Sequence, residues 1–515
     1  MLVLRGSGSR VFGRRVVLGL AGLVLTSAPG CKDGEPGDEA GESTGGATTS
    51  ASGASGASGA SNATDPATTT TPTTGASTGE SGEQAAVTWH QDIAPIVVSK
   101  CGGCHVAGGI GPFSLQTYAE AEPFGAALLD AVERKTMPPF LAETTEECAP
   151  RFDFKDDPRL TDDELEKLRA WVEQDKPEGD AAAAAPIVPP MDLELKDADV
   201  HLTIPAEVTM TGTKDQYLCF SVDPGFTSDT WLDGLQINAG NPKIVHHVLA
   251  YLDAEAESAD KVGPNGEPYP CFGGPGVNAS GLIGVWAPGS LPFVPPENVA
   301  MRVTAGSRIV LSVHYHPTGS EERDNSTSID LRIFEGLPTY VGMLALLGNA
   351  GGSGSGLQPG PNDPGSPVFR IPAGAVDHTE EMVMGLGNDV PELRVFGVTS
   401  HMHYVGTDML VGVQHKTPVE GVPDAECLVQ TPRWDFQWQR LYGYDTDLES
   451  VPRVHPGDEV YLRCTYNNSM SNPFLAKALS EQGLSEPKDV VLGEATLDEM
   501  CLGVFGVAVK LSDVL

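Results

Sequence analysis

From about Met191 to Leu515 the chain runs through short Val, Ile, Leu and Tyr segments cut by turns rich in Gly, Pro, Asn and Asp. Few stretches between them have a helical period. Such alternation places successive side chains on opposite faces and predicts antiparallel sheets packed as sandwiches. Histidines interrupt these apolar runs in pairs: His246 and His247 in "KIVHHVLAYL", His314 and His316 in "RIVLSVHYHPTG", His401 and His403 in "VFGVTSHMHYVG". His455 lies in the turn "VHPGD". A lone histidine on a strand is commonly a hydrogen-bonded core residue, but three groups in apolar strands point to metal binding.

The spacings differ in what they permit. His401 and His403 are two apart, so both rings project from one face and can share an ion through Nε2. His314 and His316 have the same spacing, but His316 precedes Pro317, where a strand should end, which favours His314 alone. His246 and His247 are neighbours, and a regular strand would aim them at opposite faces. Both can reach one ion only if the backbone is irregular over Val245–Val248, particularly with both rings binding through Nδ1.

The 515 residues, 40% of them hydrophobic, allow several domains. A net charge of −38 argues against nucleic acid or anionic lipid headgroups as partners and suits solubility. Residues 1–30 read as an export signal: Arg5, Arg10, Arg14 and Arg15 precede "VVLGLAGLVL", an apolar run too short to span a bilayer. The following "APGC" resembles a bacterial lipobox with Ala28 in place of the usual leucine. It implies lipidation of Cys31 and an anchor on the outer surface of a membrane in the cell envelope, with secretion as the alternative. Residues 31–86 form a Gly/Ser/Thr/Ala tract, which lacks the apolar side chains to offset ordering entropy and reads as a disordered tether.

"CGGCH" places Cys101 and Cys104 to form thioether bonds with haem vinyls and His105 as the proximal iron ligand. A zinc site would want a second close pair of ligands, and the next cysteine, Cys148, stands alone. Helical patterns surround the motif. "TDDELEKLRAWVEQ" opens with Thr161 and Glu164 as a capping box and puts Leu165, Leu168 and Val172 on one face. Met137 in "KTMPPF" is the candidate sixth ligand, since a thioether raises the potential and suits electron transfer. Over about residues 88 to 180 the chain resembles bacterial class I c-type cytochrome domains fused to secreted enzymes. Haem of this kind is attached outside the cytoplasm to an unfolded chain, which favours general secretion over a twin-arginine route through Arg14 and Arg15.

A second resemblance covers roughly residues 192 to 515. "YLCFSVD", "IVHHVLAYL", "LSVHYHPTG", "VTSHMHYVG", "LRCTYNNS" and "ATLDEMCLG", in that order, resemble the copper type II ascorbate-dependent monooxygenases, the peptidylglycine α-hydroxylating and dopamine β-monooxygenase family. The resemblance implies two jelly-roll-like sandwich domains, each with one copper site, facing each other across a cleft. It implies that His246, His247 and His314 form an electron-transferring copper site, and that His401, His403 and Met500 form the oxygen-binding copper site. The soft Met500 thioether suits Cu(I), whereas zinc would accept three histidines but not a histidine-histidine-methionine set. The resemblance also implies disulfides Cys219–Cys271 and Cys464–Cys501. Of nine cysteines, Cys31, Cys101 and Cys104 are otherwise assigned, so Cys148–Cys427 follows by elimination and would staple the cytochrome domain to the second sandwich.

Some family positions differ. Where peptide-amidating members hold a substrate carboxylate with arginine, asparagine and tyrosine, this chain has Thr399, Leu502 and Val504. Losing a guanidinium removes a bidentate clamp, so a more apolar substrate is expected. The glutamine two before the third copper histidine is Ser312 here, a departure that puts the usual route between the coppers in doubt. A Gly-rich insert, Leu347–Pro367, reads as a surface loop, and the aromatics of Trp434–Asp445 are open between cleft lining and core.

The expected organisation is therefore a small all-α cytochrome c domain (87–180) followed by two all-β sandwich domains (181–335 and 336–515). The expected function is a copper-dependent monooxygenase that hydroxylates a C–H bond of a small molecule with O2. Electrons come from a donor, ascorbate being one candidate, and are relayed by covalent haem c. The alternative is a non-catalytic extracytoplasmic electron-transfer or copper-binding protein. A zinc hydrolase built on His401 and His403 would need a general-base carboxylate, and none is close in sequence.

Overall fold

A computed structural model of the chain describes residues 86–349, 356–361, 363, 365–493, 495 and 497–514. The export signal, Cys31 and nearly all of the tether lie outside the described residues, as does part of the Leu347–Pro367 insert.

Residues 89–172 build a small helical unit with its own core. Thr161 accepts the Glu164 N–H while the Glu164 side chain returns to the Thr161 N–H, so the capping box forms as its sequence requires. The helix it starts, Asp162–Glu173, buries Leu168 and Trp171 against Trp89, Ile93, Val97 and Leu115. The hydrophobic stretch after this unit's Gly125–Glu133 helix does not stay with it. Phe140, Leu141 and Ala142 are buried in the core of the C-terminal sheets, and Phe154 bridges to Tyr444 there.

The rest is mostly β-sheet, with few short helices, arranged around two hydrophobic cores. The first gathers residues between Ile204 and Leu331. The second, from Tyr340 to Val509, also takes in Phe140–Ala142 and Val299. Alternation is clean where one face is solvated: Glu459–Tyr466 buries every second side chain. In the first part Val245–Asp253 lies between Gly281–Trp286 and Arg308–Tyr315, and the latter also pairs with Gln216–Val222. In the second, Leu502–Lys510 lies between Tyr340–Gly348 and Leu393–His401. The strand Tyr340–Gly348 joins the two parts, pairing Tyr340 with Val299 and Leu344 with Leu282.

Three disulfides close the framework: Cys219–Cys271, Cys464–Cys501 and Cys148–Cys427, the last across a sequence separation of 279. Such bonds belong to an oxidising compartment. Among the described residues no helix is long and apolar enough to cross a membrane.

Candidate metal centres

The adjacent histidines sit on a bulge. Val245 pairs with Tyr315, but His247, two residues on, pairs with the next residue back, His314. His246 is thus the extra residue, and the kink turns both rings to one side. His246 Nδ1 lies 3.1 Å from His247 Nδ1, and His314 Nδ1 lies 3.4 Å from the same atom. One nitrogen from each of the three rings falls within 4.8 Å of the others.

A carboxylate stands on the outer side of this cluster, behind His314. Asp215 Oδ2 approaches His314 Nε2 to 3.3 Å, an ionic approach without good hydrogen-bond alignment, while its Oδ1 lies 2.6 Å from His316 Nδ1. A carboxylate behind Nε2 keeps the proton there and leaves the Nδ1 lone pair facing inward. Tyr217 stacks flat against His314, with ring centroids 4.3 Å apart. Burial, reinforced by the neighbouring imidazoles, pushes the His246 pKa down to about 3 and His247 well below its usual value. His246 and His247 are therefore neutral, as metal ligands must be. Neutral lone pairs converging on one point repel each other unless a cation lies between them. His316 is held away on Asp215, which raises its pKa, and its ring is turned outward at 40% side-chain exposure.

The second cluster uses the opposite nitrogen. The strand Leu393–His401 ends at His401, Met402 turns into the core, and His403 returns to the face of His401. Their rings stand at 89°, with centroids 5.3 Å apart. His401 Nδ1 lies 2.7 Å from Gln439 Oε1 and His403 Nδ1 lies 3.0 Å from the Asp498 carbonyl. Both Nδ1 protons are thereby engaged and both Nε2 atoms remain to bind. Gly406 lets the chain turn back tightly here, since a Cβ would stand 2.7 Å from the Met402 side chain.

Met500 is fixed beside His403 through Glu499. The buried Glu499 Oε1 accepts the N–H of Met500 at 2.8 Å and also the N–H of His403. Burial raises this carboxyl to about 8, partly opposed by the backbone N–H groups around it. Tyr466 donates to the Met500 carbonyl, and Cys464–Cys501 ties the next residue to Glu459–Tyr466, a strand of the other sheet. Sequence reasoning missed Glu499. Its place directly before Met500 was the available signal, but its partner across the fold was not.

Cross-strand register explains what surrounds His401. His401 stands opposite Leu502 and Thr399 opposite Val504, which in turn faces Leu346. Residues directly opposite share a face, so this surface is apolar and carries no cationic side chain. Between the clusters stands Phe436. It stacks on His246 at 4.8 Å and 25°, and meets His403 edge-on at 5.6 Å. Of the Trp434–Asp445 aromatics, Trp434, Phe436, Tyr442 and Tyr444 are all buried in the second core, and Phe436 also lies between the histidine groups.

In the helical unit, Cys101 and Cys104 are the cysteines among the described residues that form no disulfide. Burial raises both thiols, Cys101 to about 12, while the Arg440 charge draws Cys104 back. His105 Nδ1 lies 3.0 Å from the Phe113 carbonyl, which leaves Nε2 as the nitrogen not engaged by that contact. Gly111 allows the chain to pass close to this ring, since a Cβ would come within 2.8 Å of His105 Nδ1. Two free thiols and a histidine with a committed Nδ1 suit a covalently held haem. Met137 lies just beyond the helix Gly125–Glu133, its N–H bonded to the Ala131 carbonyl and its side chain partly exposed.

No family model matches the chain, and no curated protein matches it. Among solved structures, the major capsid protein P2 from bacteriophage PM2 aligns with 60% of this chain and 97% of its own, at 8% identity and a TM-score of 0.20. Infectious bursal disease virus, Gx strain, aligns over 61% and 72%, at 7% identity and a TM-score of 0.15. Likeness at that level carries no argument about fold detail or function.

Proposed function

We propose that this protein is a copper-dependent monooxygenase that hydroxylates a C–H bond of an uncharged, largely apolar small molecule outside the cytoplasm. The observation that carries the reading is the convergence of three Nδ1 atoms, from His246, His247 and His314, beside a second histidine pair whose Nδ1 atoms are already engaged. His246, His247 and His314 would hold one copper ion, and His401, His403 and Met500 the other. The helical unit is read as a cytochrome c domain, with Cys101, Cys104 and His105 holding haem and Met137 as its sixth ligand. The two sheet regions are read as jelly-roll-like sandwiches, and Cys31 as a lipid anchor.

When bound, the two copper ions supply one-electron storage and dioxygen chemistry, and the haem supplies one-electron exchange. The overall change consumes R–H, O2, two electrons and two protons, and gives R–OH and water. The chain's own part is to position and select. Asp215 and Gln439 set which imidazole nitrogen faces inward, Glu499 holds the His403 and Met500 backbones together, and Thr399, Leu346, Leu502 and Val504 offer a surface suited to an apolar substrate. Ascorbate is one candidate reductant.

The rival reading is a non-catalytic copper and haem electron-transfer protein. It draws on Phe436, which occupies the space between the clusters, and on Ser312 in place of glutamine. A zinc hydrolase is less well supported, because no carboxylate among the described residues is shown facing the His401 and His403 rings, and Glu499 Oε1 is taken by backbone N–H groups. The test is substrate-dependent oxygen uptake by the reduced, copper-loaded protein, with 18O2 giving a product heavier by one labelled oxygen. Uptake that is abolished in Met500→Ala, with haem absorption intact, supports the enzyme. Metal exchange between oxidation states without product labelling supports the carrier.

A further inference from the structure

Phe436 is carried on a tight turn that stands on both sheet regions. Within the turn the Gln437 N–H donates to Asp435 Oδ1 at 2.9 Å, the Trp438 N–H to the Asp435 carbonyl at 3.0 Å, and Gln439 Nε2 to the Phe436 carbonyl at 2.9 Å. On the second region, Trp434 Nε1 donates to the His403 carbonyl at 3.1 Å. On the first, Trp438 lies so close to Gly289 that a Cβ there would come within 2.7 Å of its ring, and Ser290 Oγ donates to the Gln439 carbonyl at 3.4 Å. Anchored at both ends, the turn holds Phe436 buried, flat on His246, edge-on to His403 and 4.5 Å from Tyr404. The other approach to His401 is more open. Val398, Phe505 and Val507 point into the second core, so alternation puts Thr399, His401 and Val504 on the outward face of the same strands, where Leu346 stands opposite Val504. Thr399, His401 and Leu346 are only partly buried, whereas His403 and Phe436 are buried.

We propose that the outward face carrying Leu346 and Thr399 is the route by which substrate and small ligands reach the His401 cluster, and that Phe436 is the back wall that closes the side towards His246. What the route serves rests on the copper reading given above; the route itself is a property of the protein alone. A phenyl ring has no lone pair for an ion and no donor or acceptor for water, so it parts the two histidine groups with hydrocarbon. Truncated to alanine, it would leave a space bordered by imidazoles, polar enough to hold water. The outward face has the opposite character. It is apolar and partly exposed, so an uncharged molecule can lie on it without stripping water from a charge. Leu346 sets the width of that approach and touches neither histidine group through the backbone pairing, so it can be enlarged without removing a ligand. Leu346 and Phe436 are specificity-determining residues on this account, one at the entrance and one at the end.

The test begins on the full-length protein without copper. Diethyl pyrocarbonate acylates an unprotonated imidazole nitrogen, forming one N–C bond and releasing ethanol and carbon dioxide, and peptide mass spectrometry locates the modified histidines. In the wild type His401 should react at least tenfold faster than His403. Leu346→Trp should slow His401 at least tenfold. Phe436→Ala should speed His403 at least tenfold, and Phe436→Leu, which refills the space with hydrocarbon, should return it towards the wild-type rate. Equal rates at His401 and His403 in the wild type, or an unchanged His401 rate in Leu346→Trp, overturn the route. If Phe436→Ala does not fold, the wild-type ratio and Leu346→Trp decide. A second arm uses copper-loaded protein and azide, with binding followed by electron paramagnetic resonance of rapidly frozen samples. Leu346→Trp should slow azide association at the His401 site at least tenfold with copper content retained, and an unchanged rate overturns the route for ligands. Failure of the wild type to take up copper, with the acylation pattern as expected, overturns the metal reading and leaves the route standing.

Discussion

The two histidine clusters solve one problem in opposite ways. At the first, neighbouring residues need a bulge at His246 to face one point, and the rings meet through Nδ1, close to the backbone, with the Asp215 carboxylate behind. At the second, residues two apart need no bulge, and Nδ1 is turned outward to Gln439 and the Asp498 carbonyl, so Nε2 points inward. The spacing in the chain selects the nitrogen, and the groups behind His314, His401 and His403 favour one tautomer of each. A site built on three short-reach imidazoles beside a carboxylate is rigid. One built on two long-reach imidazoles and a thioether has a softer donor set, suited to a cuprous ion.

That contrast can be broken most severely by removing a ligand. His247→Ala should eliminate one copper per chain and leave the other, and Met500→Ala should do the converse at the second site. Each should weaken its own site by more than the roughly 10–100-fold typical of outer-shell changes. Copper titration followed by electron paramagnetic resonance checks this. Loss of both ions in either variant would mean that the sites are not independent.

Next in size are the supporting groups themselves. Asp215→Asn should lower affinity at the first cluster alone, and Gln439→Leu at the second alone, each by roughly 10–100-fold. Equal effects of both variants on both sites would remove the distinction drawn between them.

The interface that carries Gln439 can also be loosened without touching a ligand. Cys148→Ser with Cys427→Ser should cost about 2–5 kcal/mol in denaturant unfolding, as removal of a native disulfide typically does. A smaller effect is expected at Glu143. Burial works against its charge, but the hydrogen bonds and charges of Arg433 and Lys135 hold its carboxyl below the usual range. The folded pKa is therefore lower than the unfolded one. The stabilisation is complete above the unfolded value and fades as the pH falls through the folded value. Glu143→Gln should remove on the order of 1 kcal/mol at neutral pH and flatten the acid limb of the stability curve. An unchanged acid limb would show that this pair does not help dock the helical unit.

Much of the site was legible in the chain because its signals are local. The i, i+2 spacing of His401 and His403 fixes their shared face, and the adjacency of His246 and His247 demands the irregular backbone found at His246. The strand ends at Tyr315, as Pro317 leads one to expect, and His316 pairs with Asp215. The capping box at Thr161 forms for the same reason, since both partners lie within one turn. What was not legible depends on residues far apart in sequence. Asp215 reaches His314 from just before the strand Gln216–Val222, Gln439 reaches His401 from a loop, and Glu499 joins two segments nearly a hundred residues apart. The destination of Phe140–Ala142 was equally hidden. An apolar triplet reads the same whichever core receives it, and here tertiary packing draws it out of the helical unit.

The central claim is that each histidine group holds one copper ion, through opposite ring nitrogens. Anomalous diffraction at the copper edge from crystals of the copper-loaded, full-length protein addresses it directly. The account predicts two peaks per chain, one bounded by Nδ1 of His246, His247 and His314, the other against Nε2 of His401 and His403 with the Met500 sulfur completing the set. A single peak, or ions bound through the other nitrogens, would contradict it.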